Sequence, residues 1–117
     1  MTASIDPARL RPVPAVLSIV LREGKVLLVR RANAPDAGFW GFPGGRIEAG
    51  ETVFAAAERE LMEETSVTGV ASATLTVLDA LDRGEDGTLR FHYVLVAVAC
   101  RWAVSYTHLR AHETVLD

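Results

Sequence analysis

The stretch from Gly45 to Val67 constrains this chain most. Six carboxylates, Glu48, Glu51, Glu58, Glu60, Glu63 and Glu64, fall within or beside one short helix-forming run behind the turn Pro43-Gly44-Gly45. Val53 to Thr65 is rich in Ala, Glu, Leu and Met, which favours a helix, and Thr52 stands where a side-chain oxygen can cap it. At 3.6 residues per turn Val53, Ala57, Glu60 and Glu64 share a stripe about 60° wide, with Leu61 and Phe54 to one side and Glu63 to the other. Two acids therefore lie on the apolar face, where self-repulsion and lost hydration cost several kcal/mol unless a cation compensates.

The plainer reading of a Glu-rich helix is a solvated face laced with ion pairs. Here the cations are too few for that. Arg30, Arg31, Arg46 and Arg59 are the only Lys or Arg residues from position 30 to position 82. Arg59 supplies one charge and is expected to reach Glu51 at the helix entrance. Glu60, Glu63 and Glu64 then call for a divalent cation. With no Cys or His near the cluster in sequence, all-oxygen ligation points to Mg²⁺ or Mn²⁺ rather than zinc.

Gly45, five residues, Glu51, seven residues and Arg59-Glu60-Leu61-Met62-Glu63-Glu64-Thr65-Ser66-Val67 resembles the Nudix box, the signature of hydrolases that cleave a nucleoside diphosphate linked to another moiety. Ser66 departs from it, standing where the family has glycine. That position just past the helix favours a left-handed residue, so serine costs about 1 kcal/mol against glycine but removes no ligand. The flanks extend the likeness. Val26 to Arg31, followed by Phe39-Trp40-Gly41-Phe42-Pro43-Gly44-Gly45, looks like the usual approach to the box, and Arg90-Phe91-His92-Tyr93-Val94-Leu95-Val96 is similar to a strand of the ADP-ribose pyrophosphatase branch.

The resemblance implies an α/β fold, a Nudix-like α/β/α sandwich with a mixed sheet. It also implies metal-dependent hydrolysis of a pyrophosphate bond, with ADP-ribose or a related nucleotide sugar as substrate. A damaged nucleoside triphosphate is the second candidate substrate. Two further possibilities are a Nudix module that senses a nucleotide without cleaving it and an inactive truncated fragment. Glu60, Glu63 and Glu64 would hold the metal, with the Gly45 carbonyl as a further ligand, and Glu51 and Arg59 would brace loop and helix. Glu60 and Glu64 both remain candidates for the base that activates water. Nudix domains often pair, which makes a homodimer an expectation, although nothing in the sequence marks an interface.

Outside the box, Pro14 to Arg31 reads as two strands joined by Arg22-Glu23-Gly24-Lys25. Ala73 to Leu81 and Leu89 to Cys100 read as paired strands about the turn Arg83-Gly84-Glu85-Asp86-Gly87. Arg30 and Arg31 alternate across their strand, so one faces the substrate cleft and the other solvent. Trp40 and Phe39 either stack on a nucleobase or pack under the loop. His92 and Cys100 read as structural, and Asp79 and Asp82 as decoration of strand ends.

With 117 residues, 50% hydrophobic and 23% charged, the chain suffices for one core and leaves no room for a second domain. A net charge of −3, with acids gathered where the site should be, argues against nucleic-acid binding. An acidic site attracts a polyphosphate through its metal. The longest apolar run, Tyr93 to Cys100, is too short to span a bilayer, and a cytoplasmic location is the default.

Val104 to Thr114 reads Val-Ser-Tyr-Thr-His-Leu-Arg-Ala-His-Glu-Thr, which resembles the translation of a transposon-derived sequencing adapter. The expected organisation is therefore an incomplete Nudix domain over 1–103 and a non-native tail over 104–117, with the family's closing strand, acidic loop and helix missing. A sheet without that helix would expose apolar surface and an unpaired edge. With a foreign tail, His108 and His112, although spaced like metal ligands, are no metal site.

Overall fold

The computed structural model describes residues 10–31 and 38–103, together with the backbone of 113–116. Seven strands and one helix follow in the order β1 (Val13–Arg22), β2 (Lys25–Arg30), β3 (Trp40–Gly41), β4 (Gly44–Arg46), α1 (Val53–Thr65), β5 (Gly69–Arg83), β6 (Leu89–Trp102) and β7 (Glu113–Leu116). The sheet runs β3-β2-β1-β6-β5, with β4 beside β1 and β7 beside β2. It is mixed: β1 and β6 are parallel, Val13 opposite Tyr93 through Val20 opposite Cys100, and the other pairs are antiparallel.

The β1–β2 turn falls at Glu23-Gly24, both at positive φ as a tight hairpin demands. Strands β5 and β6 run beyond their expected ends, to Gly69 and Arg83 and to Trp102. Glycine and serine weaken a strand by propensity, but cross-strand partners override that, as where Gly69 pairs with Trp102.

Helix α1 begins and ends where its residues dictate. Thr52 accepts a hydrogen bond from Ala55 N–H at 3.0 Å. At the other end Ser66 adopts φ 62° and ψ 12°, and its N–H closes on the Met62 carbonyl at 2.9 Å. Ala56, Ala57, Leu61 and Thr65 are its buried residues. With Val16, Val20, Leu27, Val67, Val98 and Cys100, the first three build the core between helix and sheet.

Phe54, expected beside the apolar stripe, is instead 38% exposed. The contact is made by alanines, whose small side chains bring the helix backbone close enough for the buried Ser18 hydroxyl to donate to the Ala57 carbonyl at 2.7 Å. A phenylalanine there would hold the two apart. Cys100 is a buried core residue, and no described helix is long and apolar enough to cross a membrane.

Strand β5 ends the strand order, and Leu75, Val77, Leu78 and Leu81 along it are exposed. Of the segment 104–117, the described part is the backbone strand β7. His108 and His112 lie outside the described residues.

Candidate active site

Strand β4 and helix α1 build the site between them. The strand holds two glycines where a side chain is excluded, Gly45 by the acidic flank of the helix and Gly44 by β1. A Cβ on Gly44 would stand 2.1 Å from the Val16 carbonyl oxygen, and one on Gly45 would stand 2.5 Å from the Glu60 carboxyl carbon. The Gly44 N–H donates to Glu64 Oε2 at 2.7 Å. The two glycines thus seat the two acids that share the inner face of α1.

Arg59 is the hub of the acidic cluster. Its Nε and NH2 donate to the two oxygens of Glu51, at 2.6 and 2.9 Å, in the two-pronged geometry that guanidinium and carboxylate favour. NH1 reaches Glu60 at 2.8 Å and Glu63 at 3.2 Å, and NH2 also donates to the Arg46 carbonyl at 3.0 Å. Glu51 in turn accepts from the Glu48 N–H at 3.0 Å, closing the loop that enters the helix. The expected brace between Glu51 and Arg59 is therefore present, but Arg59 also engages two of the acids assigned to metal. Hydrogen bonding to Arg59, seconded by the Glu48 N–H, lowers the Glu51 carboxyl to about 2, and the Arg59 guanidinium is held still more firmly protonated.

Glu64 behaves in the opposite way. Burial pushes its carboxyl up to about 7, opposed by the Gly44 hydrogen bond and more weakly by Arg31, while Glu60 and Glu63 add to the rise. Arg31 is thus the member of the Arg30–Arg31 pair within electrostatic reach of the acids; the Arg30 guanidinium lies against Gly38. Trp40 and Phe39 are exposed, at 45% and 69%.

Among the described residues no three His, Cys, Asp or Glu side chains converge as a ready-made metal cage. Glu60 and Glu63 lean on Arg59, Glu64 leans on Gly44, and the Glu63 side chain is 56% exposed. The chemistry of the donors nevertheless suits a hard divalent cation. A half-buried carboxylate with raised proton affinity, next to a second carboxylate and among oxygen donors only, is a place where added positive charge is favourable.

Three contributions fall outside the roles expected from the sequence. Glu58 projects away from the acidic flank and accepts from the Ala71 N–H at 2.7 Å, beside an irregularity in the β5–β6 register. The amide of Gly44, rather than a side chain, positions Glu64. Arg46 sends its guanidinium across β1 to the Tyr93 hydroxyl, 3.3 Å away. Only the last had a sequence signal, an arginine in strand alternation with Gly45.

A mixed sheet carrying one acidic helix behind a double-glycine strand is the architecture of a Nudix domain, and the family model described as NUDIX domain matches residues 11–115. The chain belongs to the Nudix family. Among curated proteins it is 40% identical over 78 residues to an ADP-ribose pyrophosphatase of Methanocaldococcus jannaschii, covering 67% of this chain and 46% of that protein. It is 43% identical over 60 residues to a putative 8-oxo-dGTP diphosphatase of Bacillus subtilis, covering 50% and 38%. The chain thus spans less than half the length of these two relatives. Among solved structures, a MutT NUDIX hydrolase from Burkholderia pseudomallei superposes with a TM-score of 0.76 at 27% identity, over 91% of this chain and 83% of that one.

Proposed function

We propose that this domain hydrolyses the pyrophosphate bond of a nucleoside diphosphate linked to another moiety, with ADP-ribose as substrate. The observation that carries the reading is the seating of Glu60 and Glu64 against Gly45 and Gly44, with Arg59 fixing the loop beside them. The relative named ADP-ribose pyrophosphatase supports the choice of substrate. The relative named putative 8-oxo-dGTP diphosphatase supports an oxidised nucleoside triphosphate as the second choice.

Mg²⁺ or Mn²⁺, held by Glu60, Glu63, Glu64 and the Gly45 carbonyl, would supply neutralisation of the phosphate oxygens on which charge builds. Glu64 serves as the general base in this reading, its carboxylate held beside Glu60 by the Gly44 N–H. Water oxygen bonds to one phosphorus, the bridging P–O bond breaks, and Glu64 keeps the proton until the leaving phosphate accepts it. Arg59 and Glu51 hold the loop, and Arg31 offers positive charge toward the substrate phosphates. The products from ADP-ribose are AMP and ribose 5-phosphate.

Glu64→Gln removes the charge and the base but keeps the shape and an oxygen for the Gly44 N–H. Turnover of ADP-ribose in Mg²⁺ should fall at least about 100-fold, the scale general-base catalysis contributes, with thermal unfolding close to that of the parent. Undiminished activity in this variant would remove Glu64 from the site; 8-oxo-dGTP assayed in parallel decides between the two substrates.

A further inference from the structure

We propose that Ser18 is a positioning residue for Glu64: its backbone fixes the peptide whose amide holds that carboxylate, and its hydroxyl fixes the helix that carries it. Its bearing on turnover rests on the hydrolase reading of the acidic site.

Ser18 stands in β1 with no exposed surface, in the helix-facing row between the core residues Val16 and Val20. Alanine would serve as well there for packing, since a small side chain is all that the close approach of Ala57 demands. A buried hydroxyl is costly unless it is bonded, and this one donates to the Ala57 carbonyl at 2.7 Å. By the helical rule that carbonyl already accepts from the Leu61 N–H, so the hydroxyl is a second donor to a second lone pair. The helix does not need the bond for its own ladder. What the bond fixes is the height and rotation of α1 over β1. Ala57 shares a stripe with Glu60 and Glu64, which follow one and two turns further on, so a point held at Ala57 sets where both carboxylates stand.

The backbone of Ser18 holds the other partner. Its N–H donates to the Pro43 carbonyl at 2.7 Å. That carbonyl and the Gly44 N–H belong to one trans peptide and point in opposite directions. One end of the peptide is thus tied to Ser18 and the other to Glu64 Oε2, also at 2.7 Å. Proline cannot return the bond, so the Ser18 N–H makes the pairing at this position by itself. Hydrogen bonds chained head to tail in this way polarise and strengthen one another. Through two different atoms Ser18 therefore governs both donor and acceptor of the Gly44–Glu64 bond, joining β1, β4 and α1 in one closed circuit.

The first test is the amide NMR signal of Gly44 in metal-free protein, which reports the hydrogen bond to Glu64 whether or not the domain is active. Glu64→Gln, which exchanges the carboxylate for a neutral acceptor, should shift the Gly44 amide proton upfield. Ser18→Ala removes the hydroxyl, keeps the N–H, and should shift it the same way. Ser18→Cys keeps the side-chain bulk with a weaker donor and should do so by less. Glu58→Ala, which loosens the opposite flank of α1, should lower stability and leave the Gly44 signal in place. The second test is steady-state turnover of ADP-ribose at saturating Mg²⁺. Ser18→Ala should lower kcat about 10-fold to 100-fold, the range for a catalytic group displaced by about 1 Å, with KM unchanged, whereas Glu58→Ala should keep the parent kcat.

An unmoved Gly44 signal in Ser18→Ala, an equal shift in Glu58→Ala, or, in an active parent, an undiminished kcat in Ser18→Ala would overturn the role. The hydrolase reading fails separately: a parent that cleaves nothing yet shows the selective Gly44 shift would sink that reading and leave the positioning of Glu64 by Ser18 standing.

Discussion

Ser66 shows how a single residue can deviate from a family pattern and still keep the backbone conformation that glycine supplies there. It takes the left-handed conformation at the helix exit that glycine would take freely, and its N–H still closes on Met62. Ser66→Gly should raise stability by about 1 kcal/mol or less, seen as a higher denaturant midpoint at constant slope. A lower midpoint would mean that the serine side chain contributes more than its backbone costs. At this scale the sequence was most legible: the cap at Thr52, the Arg59–Glu51 brace and the left-handed Ser66 all follow from local rules. The seating of Glu64 on a backbone amide did not, because an amide carries no sequence signature and becomes a donor only when β4 is laid against the helix.

Among the elements, α1 has two working flanks. One carries Glu60 and Glu64 toward the glycines, and the other carries Glu58 to the Ala71 N–H of β5. A count of glutamates cannot separate these roles, since both flanks read alike until the irregular β5–β6 register leaves a strand N–H facing the helix. Glu58→Ala removes the acceptor and leaves a half-buried N–H without it, which should cost about 1–2 kcal/mol. Glu58→Gln, which keeps an acceptor oxygen, should recover most of that. Equal stability of Ala and parent would show that water replaces the carboxylate there. The same limit applies to Phe54: periodicity placed it near the stripe, while the closeness of helix to sheet, set by Ala56, Ala57 and Ser18, left it outside.

For the whole molecule, the two displaced carboxyls set opposing pH responses in metal-free protein. Glu51, lowered from 4.5 to about 2 by Arg59, contributes stability that is present above 4.5 and is lost as pH falls toward 2. Glu64, raised from 4.5 to about 7 by burial, makes the folded state bind the extra proton, so stability declines as pH rises from 4.5 through 7. The melting temperature in EDTA should therefore peak near the acid end of that second window and fall by several degrees toward neutral pH. Adding Mg²⁺ at neutral pH should restore it, because a bound cation stabilises the ionised form. A profile that rises steadily to pH 8 in EDTA would mean that Glu64 is not desolvated as described. The mixed sheet and its single described helix were legible as a class from the box and the strand patterns. The short strands β3 and β4 were not, since two or three residues carry no periodicity and exist only through their neighbours.

The parallel pairing of β1 with β6 also bears on how the chain is made. Val13 meets Tyr93 in the middle of the sheet, so some eighty residues must be synthesised before that seam can start to close. The β1–β2 and β5–β6 hairpins and α1 rest on local contacts and can form early. The seam between them pays for a long closed loop and comes late. During translation the emerging N-terminal half therefore presents β1 with one side unmatched, a strand edge open to other nascent chains until β6 arrives. Yield of soluble protein should accordingly depend on translation speed and chaperone supply more than the stability of the finished domain suggests.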